Sequence, residues 1–183
     1  MGRWQGKANP PLTDLGKEQA LLAAEKLPDF SILASSDLVR ARETAEIFAK
    51  AHDKDSNDIL IEPQVQERDA GEFSGLTRDE IDKKFPGYLA QNRWPSGWEP
   101  DDVLIKRLRE GLGRIIASST ESDSIVVVTH GGCICALESL LGEEYRRISN
   151  LGGRWFELID DEFYLGERIQ LLDPDEETYP DQI

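Results

Sequence analysis

The chain has 183 residues, 39% of them hydrophobic and 8% aromatic, which is enough to bury one substantial core, so a single domain over residues 1–183 is expected. Its 36 acidic against 21 basic side chains give a formal charge of -15, which sets the surface as a whole against nucleic acid and anionic lipid. No apolar stretch reaches the length of a membrane span, and the opening residues Met1-Gly2-Arg3-Trp4-Gln5 carry no charged-then-apolar leader pattern, so a cytoplasmic protein with neither membrane nor nucleic-acid partners is expected.

Residues 1–13 are polar and rich in Gly, Pro and Asn, and read as a loop whose Thr13 caps a helix over about 14–27, with Ala20, Leu21, Ala24 and Leu27 on one face. Residues 30–35 read as a short strand. A second helix over 37–52 carries Ala41, Ala45, Ile47 and Phe48 inward and leaves His52 solvated at its end; 53–58 is a polar loop and 59–63 a further short strand. From 64 to about 100 the pattern loosens under Gly71, Gly75, Pro86, Gly87, Pro95 and Gly97, with one short helix near 77–85, as in an insertion that sets selectivity. An amphipathic helix over 101–118, with Val103, Leu104, Leu108, Leu112 and Ile115 inward, leads to a buried parallel strand at 125–129 and a helix over 133–141. Two strands at 155–159 and 168–172, joined by an acidic turn over 160–166, precede an acidic tail, 173–183, expected to be loose. This alternation predicts an α/β fold of three layers, α/β/α, with a mostly parallel sheet and an antiparallel element near the end. Cys133 and Cys135, one residue apart, read as buried reduced thiols.

The run Ile125-Val126-Val127-Val128-Thr129-His130-Gly131-Gly132 ends a parallel strand in an imidazole followed by glycines, at the sheet edge where α/β proteins hold ligands. Glycines there let an anion approach backbone N–H groups, so a phosphate site is the natural reading, against a histidine that merely caps a strand. Arg40 and Thr44 share a helical face one turn in from a helix N-terminus, where a guanidinium forks two donors onto phosphate oxygens; Arg42 reads as a surface arginine. Glu67 lies in a loop ahead of Gly71 and Gly75 and is placed to protonate a leaving alkoxide, although one glutamate among 36 acids carries little weight alone. The opening loop Gly2-Arg3-Trp4-Gln5-Gly6 either reaches a ligand or frays. Arg68, Arg93, Trp94 and Trp98 either meet a substrate's second anionic group or sugar face, or pack their own loop.

Four segments stand in register over nearly the whole chain: Pro11-Leu12-Thr13 with Gly16 and Gln19-Ala20; Ser35-Ser36-Asp37-Leu38 with Arg40-Ala41 and Thr44-Ala45; Glu67 with Gly71 and Gly75; and Val128-Thr129-His130-Gly131-Gly132. In this order the chain resembles the histidine phosphatase superfamily, also called the phosphoglycerate mutase-like family. The resemblance implies phosphoryl transfer in two steps without metal or other cofactor: a histidine attacks phosphorus, and water or a second acceptor then takes the phosphoryl group from the phosphohistidine. By motif position Arg40 and His130 neutralise the phosphoryl oxygens and Glu67 protonates the leaving oxygen before helping to deprotonate water. Gly131, Arg3 and Gln5 complete the implied substrate-binding set.

The family's signature opens with a strand ending in Arg-His-Gly, upstream of a Gly-Arg-x-Gln-Gly loop, and that histidine is the nucleophile. This sequence starts at the loop, and its two histidines are His52 and His130. The resemblance therefore implies that the first central strand, the nucleophile and one phosphate-binding arginine are missing. That strand belongs between those matched by 125–129 and 155–159, so its neighbours are left with unpaired backbone groups. The expectation is a truncated chain of little turnover, whose intact form is a phosphatase of a small phosphorylated metabolite. The modest length of 64–100 favours a phosphatase over a mutase, a non-catalytic phospho-ligand binding module is the alternative from another class, and a homodimer stays open.

Overall fold

The computed structural model describes residues 2–120, 123–160 and 162–176. Helix α1 (Asp14–Lys26) starts where the Thr13 hydroxyl accepts the Gly16 N–H at 3.1 Å, with Asp14 in its first turn and Lys26 in its last, as the helix dipole favours. Its buried side is Ala20, Ala23 and Ala24, followed by Leu27, and the expected Leu21 is exposed. Small residues at this seam let α1 lie close against α2 (Val39–Ala51), which shifts the inward stripe by one side chain. Between the two helices runs β1 (Ile32–Ser35), and β2 (Leu60–Ile61), α3 (Arg78–Lys84), α4 (Asp101–Ile116), β3 (Ile125–Val128) and α5 (Gly131–Leu140) follow, before β4 (Gly152–Ile159) and β5 (Glu162–Gln170).

Strands β2, β1 and β3 form a parallel sheet in that order, with Ile32 opposite Ile125 and Ser35 opposite Val128. Alternation along the strands builds the layers. Leu33, Val126 and Val128 pack with Ala23, Ala24 and Phe48 of α1 and α2, whereas Ala34, Ile125 and Val127 pack with Leu104, Leu108, Cys133 and Leu137 of α4 and α5. The class is α/β, with an antiparallel pair beside the parallel sheet. Val103, expected inward, is exposed in the first turn of α4, and the core stripe of that helix is Leu104, Leu108 and Ile115.

Strand β3 is half-buried throughout rather than buried, because β1 is its one paired neighbour among the described residues. Among the described residues β4 likewise pairs with β5 alone, and β5 starts at Glu162, so most of the expected 160–166 turn is strand. Lacking a ladder to β3, the hairpin is fastened to α5 by charge. The buried Glu138 takes Arg168 Nε at 2.9 Å and Nη2 at 2.5 Å, and Arg154 Nη1 at 3.4 Å. At the C-terminal end Asp173 pairs with Lys26 at 2.7 Å and the Glu176 carbonyl accepts the Gln19 amide at 2.8 Å, so residues 173–176 are tied to α1. The rest of the expected loose tail, 177–183, lies outside the described residues.

The 64–100 region carries a core of its own, built from Ala70, Phe73, Ile81 and Leu89 together with Trp4 from the opening loop. Trp4 is 3% exposed and meets Phe73 edge-on at 5.4 Å, and its backbone bonds Leu76 and Gly75, so the loop is docked rather than frayed. His52, expected in solvent, instead lies on the Phe30 ring at 4.9 Å with Nε2 3.1 Å from the Ala24 carbonyl, because the end of α2 folds against α1. Both cysteines are free and buried, as the sequence implied. No helix among the described residues is long and apolar enough to cross a membrane.

Candidate active site

Parallel pairing of β1 and β3 sets their C-terminal ends side by side, and the residues that follow each strand meet. The Ser36 N–H continues the ladder to the Val128 carbonyl at 3.1 Å, and the fully buried Ser36 hydroxyl lies 2.8 Å from His130 Nε2. That contact leaves Nδ1 as the imidazole nitrogen available to a ligand. His130 is also the residue from which α5 springs; its carbonyl accepts Cys133 and Ile134 N–H groups at 3.1 Å, and Gly131 opens the positive end of the helix. Burial first, and then the charges of Arg40 and Arg107, hold His130 well below the usual histidine range, so the ring is neutral near pH 7.

Glu67 reaches this edge from the loop after β2. One carboxyl oxygen accepts the Arg68 N–H at 2.7 Å and the other the Gly132 N–H at 3.2 Å. Burial raises its pKa against the opposing pull of those amides and of Arg40 and Arg68, which favours the protonated acid that a leaving oxygen needs. The close approach requires glycine at 132, since a Cβ there would lie 2.4 Å from Glu67 Oε1. The neighbouring Cys133 thiol is fully buried against the Gln66 carbonyl, and burial pushes its pKa far up, so it is inert.

Arg40 lies in the first turn of α2, as its spacing predicts, and its guanidinium donates to the carbonyls of Ala8 at 2.7 Å and Gly6 at 3.0 Å. The two donors expected on phosphate oxygens therefore hold the opening loop in this structure, and the charge still acts on both Glu67 and His130. Thr44, on the same face, spends its hydroxyl on the Arg40 carbonyl at 2.9 Å. Arg42 is on the surface, as expected.

Arg40, Glu67, His130 and Gly131 thus converge, whereas Arg3 does not join them: its guanidinium donates to the Gly75 carbonyl and the Glu80 carboxylate, both at 2.7 Å. Gln5 is half-buried in the same loop, its carbonyl accepting the Ala8 N–H at 2.8 Å. Loop packing accounts for much of the Trp and Arg density further on: Arg68 lies over Trp98 and bonds the Glu99 carbonyl and Asp101, Trp94 stacks on Trp98 at 4.2 Å, and Arg93 lies over Tyr88. Sequence reasoning missed Ser36, which bonds His130, and Arg107, which donates to the Glu67 carbonyl at 3.0 Å. The signal for Arg107 was a cation set between the core positions Leu104 and Leu108.

A neutral imidazole, a guanidinium, a buried carboxyl of raised pKa and a helix N-terminus at one sheet edge can bind a tetrahedral anion and protonate an oxygen leaving it. The family model of the histidine phosphatase superfamily (branch 1) matches residues 1–158. The chain is 33% identical to glucosyl-3-phosphoglycerate phosphatase of Mycolicibacterium vanbaalenii over 165 residues, covering 82% of this chain and 72% of that one. It is 36% identical to phosphoglycerate mutase-like protein 4 of Arabidopsis thaliana over 157 residues, covering 80% and 67%. In three dimensions it is similar to the native mycobacterial glucosyl-3-phosphoglycerate phosphatase, with a TM-score of 0.68 and 29% identity over 78% of this chain and 73% of that one. The chain belongs to branch 1 of the histidine phosphatase superfamily.

Proposed function

We propose that the intact protein is a phosphomonoester phosphatase acting on a small phosphorylated metabolite through a phosphohistidine intermediate. The observation that carries this reading is the buried carboxyl of Glu67 on the Gly132 amide, at the helix that His130 begins. In the first step the nucleophilic nitrogen forms a bond to phosphorus as the ester P–O bond breaks, and Glu67 gives its proton to the leaving alkoxide. In the second, Glu67 as carboxylate takes a proton from water, whose oxygen attacks phosphorus as the N–P bond breaks. Arg40 offsets the charge of the phosphoryl oxygens, and the neutral His130 ring, through Nδ1–H, and the Gly131 amide donate hydrogen bonds to them, with Arg3 and Gln5 on the substrate-binding loop. Arg40 does so on releasing the carbonyls of Gly6 and Ala8.

The nucleophile in this scheme is a histidine on a strand ahead of Met1. The edges of β3 and β4 that have no partner among the described residues suit such a strand, which by the family resemblance would lie between them. Similarity to the glucosyl-3-phosphoglycerate phosphatases, one of which was solved with inorganic phosphate and with VO3, favours a phosphorylated hydroxy acid or its glycoside as the substrate class. Similarity to the Arabidopsis mutase-like protein keeps transfer between phosphoglycerates as the second reading.

The test compares this chain with one extended by the codons in frame ahead of Met1, on 3-phosphoglycerate and glucosyl-3-phosphoglycerate. The extended chain is expected to release inorganic phosphate and to trap label on histidine, and the chain alone to do neither at an appreciable rate. Label passing between phosphoglycerates without release would make the protein a mutase. Vanadate binding with no turnover in the extended chain would make it a binding module.

A further inference from the structure

We infer that Arg107, locked by Glu99, is the residue that positions Glu67. The segment from Glu62 to Asp69 contains one short turn of 3-10 helix, Pro63–Val65, and no strand, so its carbonyls need partners from elsewhere. Arg107 supplies three of them. Its Nη1 donates to the carbonyls of Gln64 at 2.6 Å and Gln66 at 2.8 Å, and its Nη2 to that of Glu67 at 3.0 Å. The intervening Val65 carbonyl goes to the Thr129 hydroxyl at 2.7 Å. The same guanidinium is bidentate to Glu99, at 2.7 Å from Nε and 2.9 Å from Nη2, and Glu99 in turn accepts the Asp69 N–H at 3.1 Å. One ion pair, its side chains 12% and 8% exposed, therefore grips the chain on both sides of Glu67.

The rest of α4 supports the same role. Gly111, one turn beyond Arg107, lies so near the loop that a Cβ would come within 2.9 Å of Gln64 Cβ, and Arg114, one turn further, forks onto Glu62 at 2.7 and 2.9 Å. Arg107, Gly111 and Arg114 lie along residues 62–67, while Leu104, Leu108 and Ile115 pack with Val65 in the apolar core. Lysine at 107 has the charge but not the planar fork, and cannot reach three carbonyls and a carboxylate at once. The Glu67 backbone fixed in this way delivers its carboxyl to the Gly132 amide, where burial raises its pKa. Arg107 touches no substrate in this scheme and acts through Glu67. Its place in catalysis rests on the phosphatase reading, whereas its effect on the Glu67 carboxyl does not.

The experiment is therefore a titration of the Glu67 side-chain carboxyl by 13C NMR in the chain as it stands, in Arg107→Lys and in Glu99→Gln, with cooperative unfolding recorded for each. In the unsubstituted chain the midpoint is expected above the ordinary glutamate range. In folded Arg107→Lys it is expected to fall by about one pH unit or more as the carboxyl gains water, and Glu99→Gln is expected to move it in the same direction, so that it carries the test should Arg107→Lys not fold. A folded variant with an unmoved Glu67 midpoint would overturn the inference and leave Arg107 as ordinary packing. A shifted midpoint together with unimpaired phosphate release by the upstream-extended variant would uphold the positioning and remove Glu67 from the proposed chemistry.

Discussion

The Ser36 hydroxyl lies 2.8 Å from His130 Nε2, continuing between side chains the ladder that the backbones of β1 and β3 make just before it. Both groups are buried; the Ser36 oxygen also accepts the Leu38 N–H at 3.4 Å, whereas His130 Nε2 depends on Ser36 for its partner. Ser36→Ala leaves an imidazole nitrogen without one and is expected to cost about 1–3 kcal/mol of stability. Urea unfolding at neutral pH measures that loss. The ring is then free to turn, and vanadate binding should weaken as well; a variant with unchanged stability and binding would show that the contact is incidental.

The depressed pKa of His130 makes stability depend on pH with a definite sign. The unfolded chain takes a proton on this ring near its ordinary value of about 6.5, and the folded chain does not until well below it, so acid favours the unfolded state over that window. Stability is expected to drop as pH falls through about 6.5, and His130→Gln should show a shallower drop over the same range. Parallel pH curves for the two chains would contradict the burial-driven shift.

Gly132 and Gly113 make a matched pair of substitutions. Gly132→Ala drives a methyl to within 2.4 Å of Glu67 Oε1 and should displace the carboxyl, costing about 1–3 kcal/mol and lowering the Glu67 midpoint toward the ordinary range. Gly113 lies in α4 with nothing near its Cβ direction, so Gly113→Ala should stabilise by about 0.5–1 kcal/mol and leave that midpoint in place. Thermal unfolding and the carboxyl titration separate the two.

Glu138 holds the β4–β5 hairpin, because it is the buried anion between Arg154 and Arg168. Glu138→Ala strands a buried guanidinium and is expected to cost about 3–5 kcal/mol. Amide exchange should then rise first in β4 and β5, ahead of the β1–β3 ladder. Uniform exchange across both sheets would mean that Phe156 and Leu171, which pack into the two main cores, do the fastening instead.

The parts of this site that sequence reveals are those set by local pattern. Thr13 caps α1 as its residue type predicts, Arg40 falls in the first turn of α2, and His130 and Gly131 stand at the junction of β3 and α5. The short helix read near 77–85 is α3, whose start the structure shows to be a capping box between Thr77 and Glu80. Long-range geometry was not. That Arg107 grips the carbonyls of Gln64, Gln66 and Glu67 depends on how α4 lies along a loop some 40 residues earlier, and no periodicity encodes it. His52 was misplaced for a similar reason: polar neighbours in sequence suggested solvent, whereas the packing of α2 on α1 supplies Ala24 and Phe30 as partners. Trp4 was hidden because a loop's docking depends on the aromatic cluster it meets, here Phe73 and Trp98.

Whether Arg40, Glu67 and His130 form one phosphoryl pocket is decided by equilibrium binding of vanadate to this chain and to Arg40→Ala. The unsubstituted chain is expected to bind the oxyanion and Arg40→Ala to bind it about tenfold more weakly or worse, as loss of a charge-assisted fork requires. Equal binding by the two chains would contradict such a pocket.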